Sequence, residues 1–159
     1  KGNGGSGTVA RCSITHATSV AVDVLGGMDL TLDSNVIDGV LATTDEDGSA
    51  IHAIDSSLTM LNNQILSADF IGVDADTSDL SMSGDQISNT LVAVRVVDGD
   101  FTGTGLTISE NSIVGMILIS PDVVSLSDST VSVFDNSDFS PLAAKVAVIC
   151  TGVAETPSG

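Results

Sequence analysis

The chain has 159 residues, which suits one domain, and 42% of them are hydrophobic, so it can bury a core. Its net charge of −17, from 21 acidic and 4 basic residues, repels phosphate groups and excludes nucleic acid and anionic membrane surfaces as expected partners. No apolar run approaches the length of a membrane span, and the abundance of Val, Ile, Leu, Thr and Ser favours strands over helices.

Flexible segments are expected at both ends of the chain. Gly and Ser dominate residues 1–8, and residues 154–159 combine Gly, Ser and Pro, a composition typical of tethers. We therefore predict an N-terminal tether over 1–8, one domain over 9–153 and a C-terminal tether over 154–159. The excess of Asp and the presence of only two Lys favour a secreted or cell-surface protein, although the same charge would also simply keep a β protein soluble.

An eight-residue pattern recurs along the chain: an apolar residue, Ser or Thr, an apolar residue, two variable residues, Asn or a substitute, one variable residue, and Ile or Val. In chain order, the copies are the degenerate Cys12-Ser-Ile14, then those that begin at Leu30, Leu58, Leu80, Leu106 and Val124, and last the degenerate Val146-Ala-Val148. Second apolar runs lie between them at 50–54, 70–73, 91–97 and 116–119. Three short strands per repeat of about 22 residues predict a solenoid.

Stacking of the copies predicts columns of like residues along the solenoid. An inward Asn at a turn bonds its own backbone and its copy in the next coil, which satisfies buried polar groups. The predicted structural Asn column is Asn35, Asn63, Asp85, Asn111 and Ser129. The predicted core columns are Leu30, Leu58, Leu80, Leu106 and Val124, then Leu32, Met60, Met82, Ile108 and Leu126, and Ile37, Ile65, Ile87, Ile113 and Val131. The predicted outward hydroxyl column is Thr31, Thr59, Ser81, Thr107 and Ser125.

At these columns, over about residues 12 to 153, the chain resembles the right-handed parallel β-helix repeats of the pectate-lyase-like superfamily. The resemblance implies an all-β, right-handed parallel β-helix solenoid of about seven coils. It implies little about function, because the superfamily holds lyases, hydrolases, phage tailspikes and adhesins. A β-sandwich is the structural alternative, since it also has many short strands, but it gives no reason for an Asn that recurs in register.

Charged residues around the second apolar strand form the best enzyme-like group. In outline it resembles a calcium-dependent polysaccharide lyase, in which acidic residues hold calcium and a basic residue removes a proton. Under that reading Arg95 or His52 would be catalytic, whereas Asp residues that only cap strands and turns are the alternative. The residues are His52 and Asp55, Asp74 and Asp76, and Arg95, Asp98 and Asp100.

Calcium could bind without catalysis, because carboxylate oxygens on loops are the ligands that it prefers. No cofactor is required by the sequence, and solvated turns are the alternative explanation of the same acids. No EF-hand loop is present. The candidate ligands are Asp45, Asp47, Asp74, Asp76, Asp98 and Asp100.

Three functions remain open on the sequence. The first is a non-enzymatic extracellular structural or adhesive module, which self-associates through its coil ends as a filament subunit or belongs to a longer parent chain. The second is the calcium-assisted lyase or a degenerate relative, with polysaccharide as partner, although the chain lacks the Trp and Tyr on which sugars usually stack. The third is ice binding by the hydroxyl column.

Two cysteines lie near opposite ends of the predicted solenoid. Seven coils at about 4.8 Å place Cys12 and Cys150 roughly 30 Å apart, too far for a bridge within the chain. They are expected to be buried thiols, to pair with a segment outside this chain, or to form an intersubunit disulfide in a head-to-tail stack.

Overall fold

A computed structural model of the protein describes residues 4–44, 48–111, 113–133 and 146–151. These residues form an all-β parallel solenoid with three strands in each coil. The first three coils hold β1 (Ser6–Ala10), β2 (Ser13–Thr15), β3 (Val20–Leu25), β4 (Asp29–Asp33), β5 (Val36–Asp38), β6 (Ser49–Ile54), β7 (Ser57–Leu61), β8 (Gln64–Ile65) and β9 (Ile71–Asp76). The next three hold β10 (Asp79–Ser83), β11 (Gln86–Ser88), β12 (Val92–Val97), β13 (Phe101–Thr104), β14 (Thr107–Asn111), β15 (Val114–Ile119), β16 (Val124–Ser127), β17 (Thr130–Val133) and β18 (Val146–Thr151).

Each coil contributes one strand to each of three six-stranded parallel sheets. The first sheet has the order β1-β4-β7-β10-β13-β16, the second β2-β5-β8-β11-β14-β17, and the third β3-β6-β9-β12-β15-β18. Every strand of the four inner coils therefore pairs with the strand one coil before it and with the strand one coil after it. This confirms the predicted all-β parallel solenoid and excludes the sandwich. Among the described residues, no helix is long and apolar enough to span a membrane.

The solenoid has about six coils rather than the seven predicted. The last degenerate copy caused the error, because Val146 lies in the same coil as Val124 and was counted as a further coil. Neither degenerate copy lies in the first sheet. Ser13 and Ile14 belong to β2 in the second sheet, where Ile14 pairs with Ile37. Val146 and Val148 belong to β18 in the third sheet, where they pair with Val114 and Met116.

The register of the fifth coil also differs from the prediction. Phe101, not Leu106, pairs with Leu80 and Val124 in the first sheet. The copy that begins at Leu106 therefore lies one sheet further on, in the second sheet, and Ile113 lies outside the core column. Thr107 pairs there with Gln86 and Thr130, and Ile108 pairs with Ile87 and Val131.

The core consists of inward columns from all three sheets. Leu58, Leu80 and Phe101 follow one another in the first sheet, and Met60 and Met82 form the neighbouring column. All five side chains are at most 2% exposed. Such close packing of apolar side chains removes them from water and is the main source of stability for the fold.

The N-terminal limit of the solenoid lies inside the segment predicted as a tether. Strand β1 begins at Ser6, and its residues Ser6 to Ala10 pair with Asp29 to Asp33. Residues 1–3 and 152–159, which include the rest of both predicted tethers, lie outside the described residues.

Corners between sheets are made by residues in the left-handed region of backbone space, which recur coil after coil. At the corner that leaves the third sheet they are Gly26, Asp55, Thr77, Asp98 and Ser120, with φ between 48° and 71°. The backbone N–H of each of the first four donates to the next coil, as from Thr77 to the carbonyl of Val97 at 2.8 Å. Asp, Asn and Gly adopt this conformation at little cost, whereas a β-branched residue such as Thr77 adopts it with steric strain.

Replacing Thr77 with Asn is expected to stabilise the protein by about 0.5–1 kcal/mol, because Asn adopts the left-handed conformation with less steric strain than Thr. Thr77 is exposed and has φ 48°. Chemical denaturation gives the free energy of unfolding. Thr102→Asn is the matched control, since Thr102 is exposed in a strand, and there the same exchange should be neutral or slightly destabilising. Equal effects at both positions would contradict the prediction.

Candidate functional site

A column of charged residues crosses the outer face of the third sheet. Asp23, His52, Asp74 and Arg95 are register partners in four successive strands, β3, β6, β9 and β12. His52 Nδ1 lies 3.1 Å from Asp23 Oδ1. Arg95 donates from Nε to Asp74 Oδ1 at 2.7 Å and from Nη2 to Asp74 Oδ2 at 3.0 Å. The structure thus brings together the predicted residues His52, Asp74 and Arg95 and adds Asp23.

Asp23 was not identified from the sequence, although one signal was present. It lies between Val22 and Val24, which alternate with it in the manner of a half-buried strand. The 29 residues that separate it from His52 hide their proximity, which only the register of the solenoid reveals.

The Asp74–Arg95 pair is held as an ion pair with two hydrogen bonds. The hydrogen bond to Asp74 raises the pKa of Arg95 above its ordinary value, and the nearby charges of Asp74 and Asp76 act in the same direction. Asp74 is only 7% exposed. Arg95 is therefore held in the protonated form, which is the opposite of what a proton-abstracting base requires.

The other predicted calcium ligands are distributed over different parts of the coil. Asp76 ends β9 in the next outward column, and Asp98 occupies the left-handed corner position. Asp100 Oδ1 accepts a hydrogen bond from the backbone N–H of Val123 at 2.9 Å. Asp45 and Asp47 lie outside the described residues. No group of three or more His, Cys, Asp or Glu that could hold a metal ion occurs in the described part of the chain.

A cleft of about 360 Å³ adjoins the ion pair on the same face. Its apolar wall belongs to a cluster that is separate from the main core, with Ile71, Val92 and Val114 buried and Phe70 and Ile117 packed against them. The cleft residues are Ser49, Phe70, Ile71, Asp74, Val92, Arg95 and Ile117.

A polar ladder runs inside the solenoid at the corner between the first and second sheets. Asn35 donates from its backbone N and from Nδ2 to Asn63 Oδ1 at 2.9 and 3.0 Å. Asn63 repeats the arrangement toward Asp85 Oδ1 at 2.7 and 2.9 Å. Each Asn also donates from Nδ2 to a carbonyl of the preceding coil, that of Val9 or Leu32. At the N-terminal end Cys12 donates its backbone N–H to Asn35 Oδ1.

The structure places only part of the predicted Asn column in this ladder. After Asp85 the register leads to Leu106, which has no side-chain acceptor, and then to Ser129, whose Oγ accepts from the Leu106 N–H at 3.0 Å. Asn111 lies at the end of β14, where its Oδ1 accepts hydrogen bonds from the backbone N and Oγ1 of Thr90. Its burial is complete, but it serves a different corner.

Asp85 is a carboxylate in a column otherwise suited to amides. Burial raises its pKa above the ordinary value, although hydrogen bonds from Asn63 and Ser83 act in the opposite direction. A raised pKa in the folded state means that the stability contributed by this group is fully present below the unfolded pKa of about 3.9 and is lost as pH rises through the folded value.

Replacing Asp85 with Asn is therefore expected to stabilise the protein at neutral pH by about 1 kcal/mol. A neutral amide keeps the Oδ1 acceptor for Asn63 and removes the buried charge, and this gain outweighs the lost hydrogen bond from the Ser83 N–H to Oδ2. The gain should shrink as pH falls below about 4, where the wild-type carboxyl is also neutral. Urea unfolding at several pH values checks both statements. A stability difference that does not change with pH would contradict the assignment of the effect to ionisation.

Hydroxyl side chains form an outward column on the first sheet. Its register places Thr102 where Thr107 was predicted and adds Thr8 at the N-terminal end. Acidic residues such as Asp29, Asp33 and Asp79 lie in the same six strands, so the face is not a uniform hydroxyl lattice. Ice binding stays a prediction. The column is Thr8, Thr31, Thr59, Ser81, Thr102 and Ser125.

The cysteines lie in the first and last coils. Cys12 is free and exposed. The backbone of Cys150 pairs with Leu118, whereas its side chain lies outside what the structure describes. Five intervals of about 4.8 Å separate the two coils, about 24 Å in all, which is too far for a bridge within one chain. An intersubunit disulfide stays a prediction.

A scan against protein-family models, a search of curated proteins and a search of solved structures each found no match to this chain.

Proposed function

We propose that the chain is a non-enzymatic structural module outside the cell, a rigid spacer that continues by stacking its end coils against another solenoid. The supporting observation is that, in the part of the chain that the structure describes, core-column residues are more exposed in the two end coils than in the inner coils. Val9 is half-buried in the first coil, whereas Leu32, its register partner in the second, is 1% exposed. Leu126 in the sixth coil is 40% exposed, whereas Met82 of the same column is 1% exposed.

The backbone at the ends supports the same proposal. Among the described residues, β1, β2 and β3 each have a neighbour on one side only, and so do β16, β17 and β18. Unpaired strand edges and open apolar columns favour contact with a further coil. Stacking the C-terminal coil of one molecule on the N-terminal coil of the next is a heterologous contact, which repeats without closing and yields a filament. The proposal requires no cofactor.

The charged column favours this role over the lyase alternative. Arg95 donates hydrogen bonds to both carboxylate oxygens of Asp74 and is kept protonated. The charge of Asp74 is balanced by Arg95. The resemblance to the pectate-lyase-like β-helices is then one of coil architecture and not of catalytic chemistry.

Sedimentation velocity over a range of protein and salt concentrations tests the proposal. We expect a ladder of growing oligomers that lengthens with salt, because salt screens the repulsion between chains of charge −17. Val9→Lys places a charge in the open core column and should abolish growth. Thr8→Lys adds the same charge at the neighbouring outward position and should leave growth intact. A single monomeric species under all conditions, or equal effects of the two variants, would overturn end-to-end stacking.

A further inference from the structure

The outer face of the third sheet is unlike the outer faces of the other two sheets. Apart from Leu61, the inner strands of the first sheet present Thr, Ser and Asp, and the second sheet presents residues such as Gln64, Gln86 and Thr107. The third sheet turns Val and Ile to both sides, with Leu25 exposed by 51%. Its half-buried and exposed outward apolar residues are Val20, Leu25, Ile54, Val97, Ile117 and Ile119.

This face also carries little charge for so acidic a molecule. Its outward columns contain Asp23, Asp74 and Asp76 against Arg95, with His52 between them. The whole chain has 21 acidic and only 4 basic residues, which gives a net charge of −17. Two copies of the protein therefore repel each other least when this face of one meets this face of the other.

We infer that the outer face of the third sheet is covered by a second copy of the chain, in a closed dimer with two-fold symmetry. The Asp74–Arg95 pair bridges β9 and β12, which are the third and fourth of six strands. The two-fold axis lies in the face, runs parallel to the strands and passes midway between β9 and β12. It places β9 of each copy opposite β12 of the other, so that all six strands of each copy are covered. The ion pair marks the centre of the sheet.

The ion pair is self-complementary about that axis. Because Asp74 and Arg95 are register partners, the axis places Arg95 of each copy opposite Asp74 of the other, which gives a square of alternating charges. Arg95 uses Nε and Nη2 toward its own Asp74, so its Nη1 N–H groups remain for the second carboxylate. A desolvated Arg within an apolar ring is a common centre of protein interfaces.

The residues around the centre and the size of the face fit the same arrangement. The axis brings Ile71 of one copy opposite Val92 of the other, and both residues line the cleft beside Arg95. It also brings Ile54 opposite Ile119. Six strands about 4.8 Å apart and six residues long cover about 29 by 20 Å. Two such faces bury about 1,100 Å², just above what a specific interface needs. Stacked sheets pack in this way about 10 Å apart.

Sedimentation equilibrium of the full chain tests the inference. The measurement uses the Val9→Lys background, in which end-to-end growth is blocked. A failure of the dimer is then distinguishable from a failure of end-to-end stacking. We expect a monomer–dimer equilibrium that stops at two chains. Arg95→Asp makes all four central charges negative and should weaken the dimer at least about tenfold. Exchange of the pair, Asp74→Arg with Arg95→Asp, restores the alternation and should restore the dimer.

A control separates the central pair from general repulsion. Ser81→Asp with Thr102→Asp adds the same two negative charges to the first sheet and should leave the dimer intact. Circular dichroism verifies that each variant folds. If Arg95→Asp alone does not fold, the variant with the exchanged pair replaces it in the test. A protein that is monomeric throughout, oligomers larger than two, or an exchanged pair that folds but does not dimerise would each overturn the inference.

Discussion

Replacing Phe101 with Ala is expected to lower the free energy of unfolding by about 3–5 kcal/mol, the cost of emptying a large core site. Phe101 is fully buried and stands where the neighbouring coils have Leu80 and Val124. Two positions later the fifth coil has Gly103 where the fourth has Met82. A Cβ at Gly103 would lie 2.9 Å from the Phe101 ring and 2.8 Å from Leu106, so the ring occupies the space of the missing side chain.

A double-mutant cycle tests this exchange of volume. Phe101→Leu alone should leave a cavity, and Gly103→Met alone should overpack the same space at a cost of about 1–3 kcal/mol. Together they reproduce the Leu and Met of the fourth coil, so the double variant should be clearly more stable than the sum of the two single effects predicts. Urea denaturation of the four proteins gives the coupling energy. Strict additivity would refute the shared cavity.

Replacing Asn63 with Ala is expected to cost about 3 kcal/mol, because it breaks the polar ladder at its centre. The change removes the acceptor for two groups of Asn35 and the donors to Leu32 and Asp85, and all of these atoms are in or beside the buried column. Each buried polar group left unpaired costs about 1–3 kcal/mol, and partial relaxation limits the total.

The midpoint of urea unfolding measures the effect. Gln64→Ala is the matched control, since it removes an amide from the next residue, which lies in β8 and is half-buried, and should change stability by less than about 0.5 kcal/mol. A midpoint for Asn63→Ala equal to that of the control would show that the ladder does not stabilise the fold.

The fold could be predicted because like residues recur at the positions that stack. Leu30, Leu58 and Leu80 follow one another in the structure as their pattern indicated. The fifth coil was misplaced because its strand has Gly103 at the second apolar position, so Phe101-Thr-Gly does not match the pattern whereas Leu106-Thr-Ile does. A pattern compares residue types one position at a time. It does not detect that one large side chain fills the space of two positions in the core.

The charged column shows a different limit of sequence analysis. The pattern placed His52, Asp74 and Arg95 at related positions, and the register of the third sheet puts them in one column. It could not show that Arg95 would be fixed by Asp74, because that depends on the direction of two side chains on a strand face. It also treated 91–97 as one apolar run, so the apolar outer face went unnoticed. Val92 belongs to the separate cluster with Ile71, and Val97 is half-buried, whereas Val94 and Val96 are fully buried in the main core.

The interruption of the polar ladder at Leu106 has a consequence for how the solenoid loses its structure. In a stack where each repeat contacts only its neighbours, cooperativity depends on the coupling across every interface. The first four coils share a continuous chain of side-chain hydrogen bonds from Cys12 to Asp85, and the fifth coil does not continue it. At the boundary between the fourth and fifth coils a different buried pair, Thr90 with Asn111, bonds at another corner of the coil. A fraying event that starts in the last coils would therefore have to break the Thr90–Asn111 pair before it reaches the ladder, which holds the first four coils as one cooperative block.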